Sequence, residues 1–142
     1  MRVMLRIVAL AVLLALSSPG CASRGTAGTH PAEGWVRQEL WLGSEIPTGG
    51  EVTDEAWEAF VAAEITRRFP DGFSVLEAAG HWRHPDGRAV RERTRVVVVL
   101  HEAGDAAAER ALAEIAAAYV ARFRQDAALR TSDRVSVRFV EP

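Results

Sequence analysis

The chain of 142 residues contains neither lysine nor asparagine, and its one cysteine is Cys21. A single cysteine excludes a disulfide within the chain, so stability has to come from a packed core. Without lysine, all 17 basic residues are arginine. In a chain this rich in alanine, that pattern fits GC-rich codon usage, and arginine abundance is weak evidence for anion recognition. Catalytic signatures are equally scarce. There is no G-x-S-x-G elbow, no Walker or dinucleotide glycine pattern, and no cysteine nucleophile in the part expected to fold. Long apolar runs are confined to Ile7–Leu16. That run is too short for a membrane-spanning helix, which needs ~20 residues.

What is present at the N-terminus reads as an export signal. Arg2 and Arg6 precede the apolar run, and Ser17-Ser-Pro-Gly-Cys21 follows it. A basic start, a short apolar core and small residues are the parts of a secretory signal, here residues 1–20. Pro-Gly-Cys21 resembles a bacterial lipobox, with cleavage before Cys21 and a lipid on that cysteine. Ser18 stands where the lipobox usually has leucine, and cleavage after Ala22 is the competing reading. The lipoprotein reading implies a membrane anchor at Cys21, facing the periplasm and favouring the outer membrane; the other implies a soluble periplasmic or secreted protein. Residues 21–34 are small, polar and broken by Gly and Pro, as in a flexible tether. Beyond residue 20, 15 arginines face 19 acidic residues. That balance implies no basic face and no nucleic-acid partner.

Residues 35–142 read as one domain. Trp35–Leu42 alternates as a strand, with Val36, Leu40 and Leu42 on one face and Trp35, Arg37, Glu39 and Trp41 on the other. Thr53 caps a helix whose buried stripe is Trp57, Phe60, Val61 and Ile65. Phe73–Trp82 and Ala89–His101 are two strands, and Val96–Leu100 is apolar on both faces, as in a central strand. Asp105 caps a second helix with a stripe through Ala108, Leu112, Ile115, Tyr119 and Phe123. Arg134–Val140 is the last strand. The order βαββαβ predicts an α+β, ferredoxin-like fold: a four-stranded antiparallel sheet with two helices on one face and strands one and three in the middle.

The segments Glu39-Leu-Trp-Leu-Gly43, Phe69-Pro-Asp-Gly72, Gly80-His-Trp82 and Val90-Arg-Glu92 carry a resemblance in their order and spacing. Over about Trp35–Val140 the chain resembles an uncharacterised bacterial family of small exported proteins, Domain of Unknown Function thirty-five seventy-four. The resemblance implies a bacterial envelope protein and transfers no active site.

His84-Pro-Asp-Gly87 has the residues of a type I turn with a G1 bulge. That turn pairs His84 with Arg88, His81 with Arg91, Ala79 with Arg93 and Glu77 with Arg95. His81 and His84 then point to opposite faces, so they form no metal pair, and no metal or cofactor site is expected. With Trp82 and Val96 turned toward the helices, the open face would collect Glu39, Trp41, Glu77, His81, Arg91, Arg93 and Arg95. Trp and Arg are enriched at binding hot spots. This surface therefore suits a non-catalytic module that binds an envelope partner or pairs as a homodimer. The alternative is a small enzyme or ligand carrier with a pocket at Trp82 and Glu92, where burial would raise the carboxyl's pKa. An enclosed pocket at Glu92 favours the second reading, a flat sheet face the first.

Overall fold

The computed structural model describes residues 32–141. The expected signal segment, Cys21 and most of the tether lie outside them. Four strands form one antiparallel sheet: β1 (Ala32–Gly43), β2 (Ser74–Arg83), β3 (Ala89–Glu102) and β4 (Leu129–Val137), in the order β2-β3-β1-β4. Helix α1 (Asp54–Phe60) follows β1, and α2 (Ala106–Phe123) follows β3. This is the expected ferredoxin-like arrangement. The boundaries of β1 and β4 differ, and β4 ends at Val137 rather than Val140. β1 begins at Ala32, inside the stretch read as tether, because Ala32 pairs with Val137 of β4. β4 begins at Leu129, five residues early, where Leu129 pairs with Trp41; its first half, Leu-Arg-Thr-Ser-Asp, lacks the alternation that marks a strand.

Both helices start where their caps predict. The Thr53 hydroxyl accepts the Ala56 N–H at 3.2 Å, and the Asp105 carboxylate accepts the Ala107 and Ala108 N–H groups at 2.9 and 3.0 Å. These bonds satisfy donors that a helix N-terminus would leave unpaired. α1 runs into a π-helical turn, Val61–Ile65, in which Thr66 N donates to Val61 O. The wider turn lets Phe60 and Ile65, five residues apart, both face the core; in an α-helix that spacing would set them about 140° apart. α2 ends at Arg124, whose φ of 51° is left-handed.

The core lies between the helices and one sheet face. Leu40 and Leu42 of β1 and Val97 and Val99 of β3 pack against Trp57, Phe60, Leu112, Ile115 and Tyr119. The Tyr119 hydroxyl donates to Gly43 O at 2.9 Å, and burial pushes its pKa up to about 12. It therefore stays a neutral donor across the physiological range. Tyr119→Phe removes that bond and should cost about 1–2 kcal/mol in urea denaturation.

The register fixes which residues share this face. Cross-strand partners lie on the same side of a sheet, and Leu40 pairs with Val97 while Leu42 pairs with Arg95. Gln38, Arg95 and His101 are thereby turned toward the helices, and each is buried. Gln38 Oε1 accepts from Arg130 Nε, and Gln38 Nε2 donates to Glu109 and to His101 Nε2. His101 Nδ1 in turn donates to Glu102 O at 2.8 Å. Arg95 lies 4.9 Å over the Trp57 ring and reaches Asp54 at 2.5 Å. The doubly apolar run of β3 thus faces the opposite way from the sequence expectation. Val96 and Trp82 turn away from the helices, and Arg91, Arg93 and Arg95 turn toward them.

Candidate functional site

The hairpin register is the expected one: Glu77 pairs with Arg95, Ala79 with Arg93 and His81 with Arg91. Its turn carries the G1 bulge, with Gly87 at φ 93° and His84 N donating to Arg88 O at 2.9 Å. The seven residues expected on one surface are nevertheless divided by the sheet. Glu77, His81, Arg91, Arg93 and Arg95 lie on the helix side, with Arg93 and Arg95 both bonded to Asp54 at 2.5 Å. Those arginines hold the Asp54 carboxyl below its ordinary range. Glu39 and Trp41 lie on the open side. There Glu39 accepts from Arg37, Trp41 Nε1 and Thr131 Oγ1, and the bond from Arg37 first of all keeps its pKa low.

The open face also receives Trp82 and Glu92, on the same side as Trp41. β1 ends at the pair Gly43–Thr94, so Glu92, two residues further along β3, has no β1 neighbour. Its side chain bends toward the chain leaving β1, where Glu45 N donates to Glu92 Oε2 at 2.7 Å. Two glycines make this possible. A Cβ at Gly43 would overlap the Glu92 carboxyl, and one at Gly80 would overlap Thr94 Oγ1 and stand 2.9 Å from Trp82 Nε1.

The result is a pocket of about 420 Å³ walled by Trp41, Trp82, Pro47, Pro85, Ala128 and Leu129, with Glu92 in its lining. Its size falls in the range of small-ligand sites. A wider, shallower hollow of about 830 Å³, lined by Glu77, Arg91 and Arg93, reaches the same carboxyl from the other side. One wall of the Trp pocket is held by a hydrogen bond: His84 Nδ1 lies 2.6 Å from Asp126 Oδ2, tying the hairpin turn to the segment after α2. Sequence reasoning put His84 at a turn but gave no sign of Asp126 or of the 125–129 wall, since that loop has neither periodicity nor motif.

Partial burial is the main cause that raises the Glu92 pKa, opposed by the Glu45 N–H. The consequence for stability has a definite sign. Below the ordinary carboxylate value of 4.5, Glu92 is protonated in folded and unfolded chains alike and costs nothing. As pH rises through its higher folded value, the unfolded chain releases its proton more readily and stability is lost. Glu92→Gln should therefore raise the melting temperature at pH 7, with the gain shrinking as the pH falls toward 4.5. Thermal melts of both proteins across pH 4–8 test this; a gain independent of pH would contradict it.

A family model described as a protein of unknown function (DUF3574) matches residues 37–139. No curated protein matches. Among solved structures, a phage SAM lyase in complex with S-methyl-5'-thioadenosine aligns at a TM-score of 0.61 and 12% identity, covering 77% of this chain and 88% of that one. At that identity the likeness is one of fold.

Proposed function

The chain belongs to the DUF3574 family of proteins of unknown function, and from that footing we propose that it is a small-ligand-binding module of the bacterial cell envelope. Its pocket takes a flat nitrogen heterocycle that carries an amino group. One observation carries this reading: Glu92 lines a pocket walled by Trp41 and Trp82, with one carboxyl oxygen already held by Glu45 N–H. Indole faces stack on planar rings, worth about 1–3 kcal/mol per ring. The Glu92 carboxyl accepts from an amino group when ionised and can also donate to a ring nitrogen when protonated. An aminopurine edge offers the matching acceptor and donor side by side. The solved phage protein of similar fold holds such a molecule, which guides the choice of probe. Ile7–Leu16 and Cys21 support export and a lipid anchor.

Titrating the full chain with S-methyl-5'-thioadenosine in a calorimeter tests the pocket. Saturable binding at one site per chain is expected, weakened at least tenfold by Trp41→Ala and by Glu92→Ala. No saturation at about 1 mM with this probe or with adenine would overturn the reading. For the anchor, radiolabelled fatty acid should enter the chain and be absent from Cys21→Ser.

A further inference from the structure

The edge strand β2 has one free side. His84 N donates to Arg88 O across the hairpin, which makes the even-numbered residues of β2 the hydrogen-bonded ones in the ladder with β3. The N–H and C=O groups of Val75, Glu77, Ala79, His81 and Arg83 therefore point away from the sheet. β2 is exposed along most of its length, with Leu76 at 54% and Trp82 at 39%. A long open edge with exposed apolar side chains is a template for another strand.

From this we propose that β2 pairs with β2 of a second copy of this chain, antiparallel about a two-fold axis at Ala79, joining two sheets into one of eight strands. The side chains select this register. Centred on Ala79, Leu76 of each copy lies opposite Trp82 of the other, and Glu77 lies opposite His81. The odd residues exchange backbone hydrogen bonds. Leu76 and Trp82 then fall at non-hydrogen-bonded positions, where opposed side chains are closest. Ala78 and Gly80 meet beside the axis, and their small side chains let the strands approach. A register centred on Ala78 sets Leu76 against Gly80. One centred on Gly80 pairs Glu77 with Arg83 but carries Leu76 past the end of the strand. Only the Ala79 register satisfies both the Leu76–Trp82 and the Glu77–His81 pair, each twice by symmetry. It is an isologous contact and closes at two copies. The contact does not depend on the pocket's ligand, although it sets Leu76 of the second copy against the indole that walls the pocket.

Light scattering on the purified full chain, eluted from a sizing column, tests the pairing. The expected mass is twice that of one chain. Leu76→Arg, a change at an exposed position, should give a monomer. Glu77→Arg, which sets arginine against His81, should weaken the dimer at least tenfold. The double change Glu77→His with His81→Glu reverses the pair and should restore the dimer, a result that a purely local role for either residue would not produce. Far-UV circular dichroism checks that each variant is folded. A monomeric wild type at about 100 μM, near −5.5 kcal/mol of association, or a dimer indifferent to both arginine substitutions, would overturn the proposal.

Discussion

Phe60→Ala should cost about 3–5 kcal/mol in equilibrium urea denaturation. Phe60 is fully buried. Its ring centroid lies 5.2 Å from Tyr119, 5.7 Å from Phe123 and 6.2 Å from Trp57. The ring thus links α1 to α2, and truncation deletes both its transfer free energy and its contacts with three aromatic neighbours. The cavity cannot close easily. Tyr119 is held by its bond to Gly43 O, and Trp57 is held under Arg95. Total stabilities of single domains run at about 5–15 kcal/mol, so this loss would leave a marginal fold. Phe60→Leu, which keeps most of the volume, should cost much less. Equal costs for the two variants would contradict the packing described.

Gly80→Ala should cost about 1–3 kcal/mol, although it adds only a methyl group to an exposed edge strand. The new Cβ overlaps Thr94 Oγ1 and crowds Trp82 Nε1. Thr94 is 1% exposed on a central strand, and its Oγ1 makes no hydrogen bond among the described residues. A β-branched side chain fixed at that depth has few rotamers to escape into. The pair can be tested as a double-mutant cycle. Thr94→Ala removes the obstructing oxygen, so Gly80→Ala should be far less costly in that background. Additive costs would mean that the two positions do not touch. Because Trp82 is displaced with Thr94, Gly80→Ala should also weaken S-methyl-5'-thioadenosine binding in the proposed pocket.

The fold was legible because its signals were local. The caps at Thr53 and Asp105, the helical stripes, and the His84-Pro-Asp-Gly87 turn each act over a few residues. The turn even fixed the register of β2 on β3, through Glu77 opposite Arg95. Which side of that hairpin met the helices was not legible. Val96–Leu100 is apolar at every position, so alternation gives the strand no preferred face. Placing charged residues outside then put Arg91, Arg93 and Arg95 in the open. Arg95 instead lays its guanidinium over Trp57 and reaches Asp54, and Gln38 and His101 are buried through partners distant in the chain. The sequence expectation sets the Glu92 carboxyl beside Trp82 on the helix face. Glu92 is half-buried with a raised pKa, but on the opposite face, where Trp41 rather than the helices is its neighbour. Three of the nine residues singled out for binding thus meet at one pocket: Trp41, Trp82 and Glu92.

The pairing of Ala32 with Val137 and of Trp41 with Leu129 gives the domain two poles. Both the entry of β1 and the exit of β4 lie at one end of the sheet. The Trp pocket lies where β1 finishes and β4 begins, about 26 Å away over the eight residue steps from Trp35 to Gly43. Any chain preceding residue 32 therefore joins the domain at the far pole. The β1 entry and the β4 exit thus lie at the end of the sheet away from the pocket. A label or support joined to the domain at the β1 entry or the β4 exit would leave the pocket clear for the binding measurements.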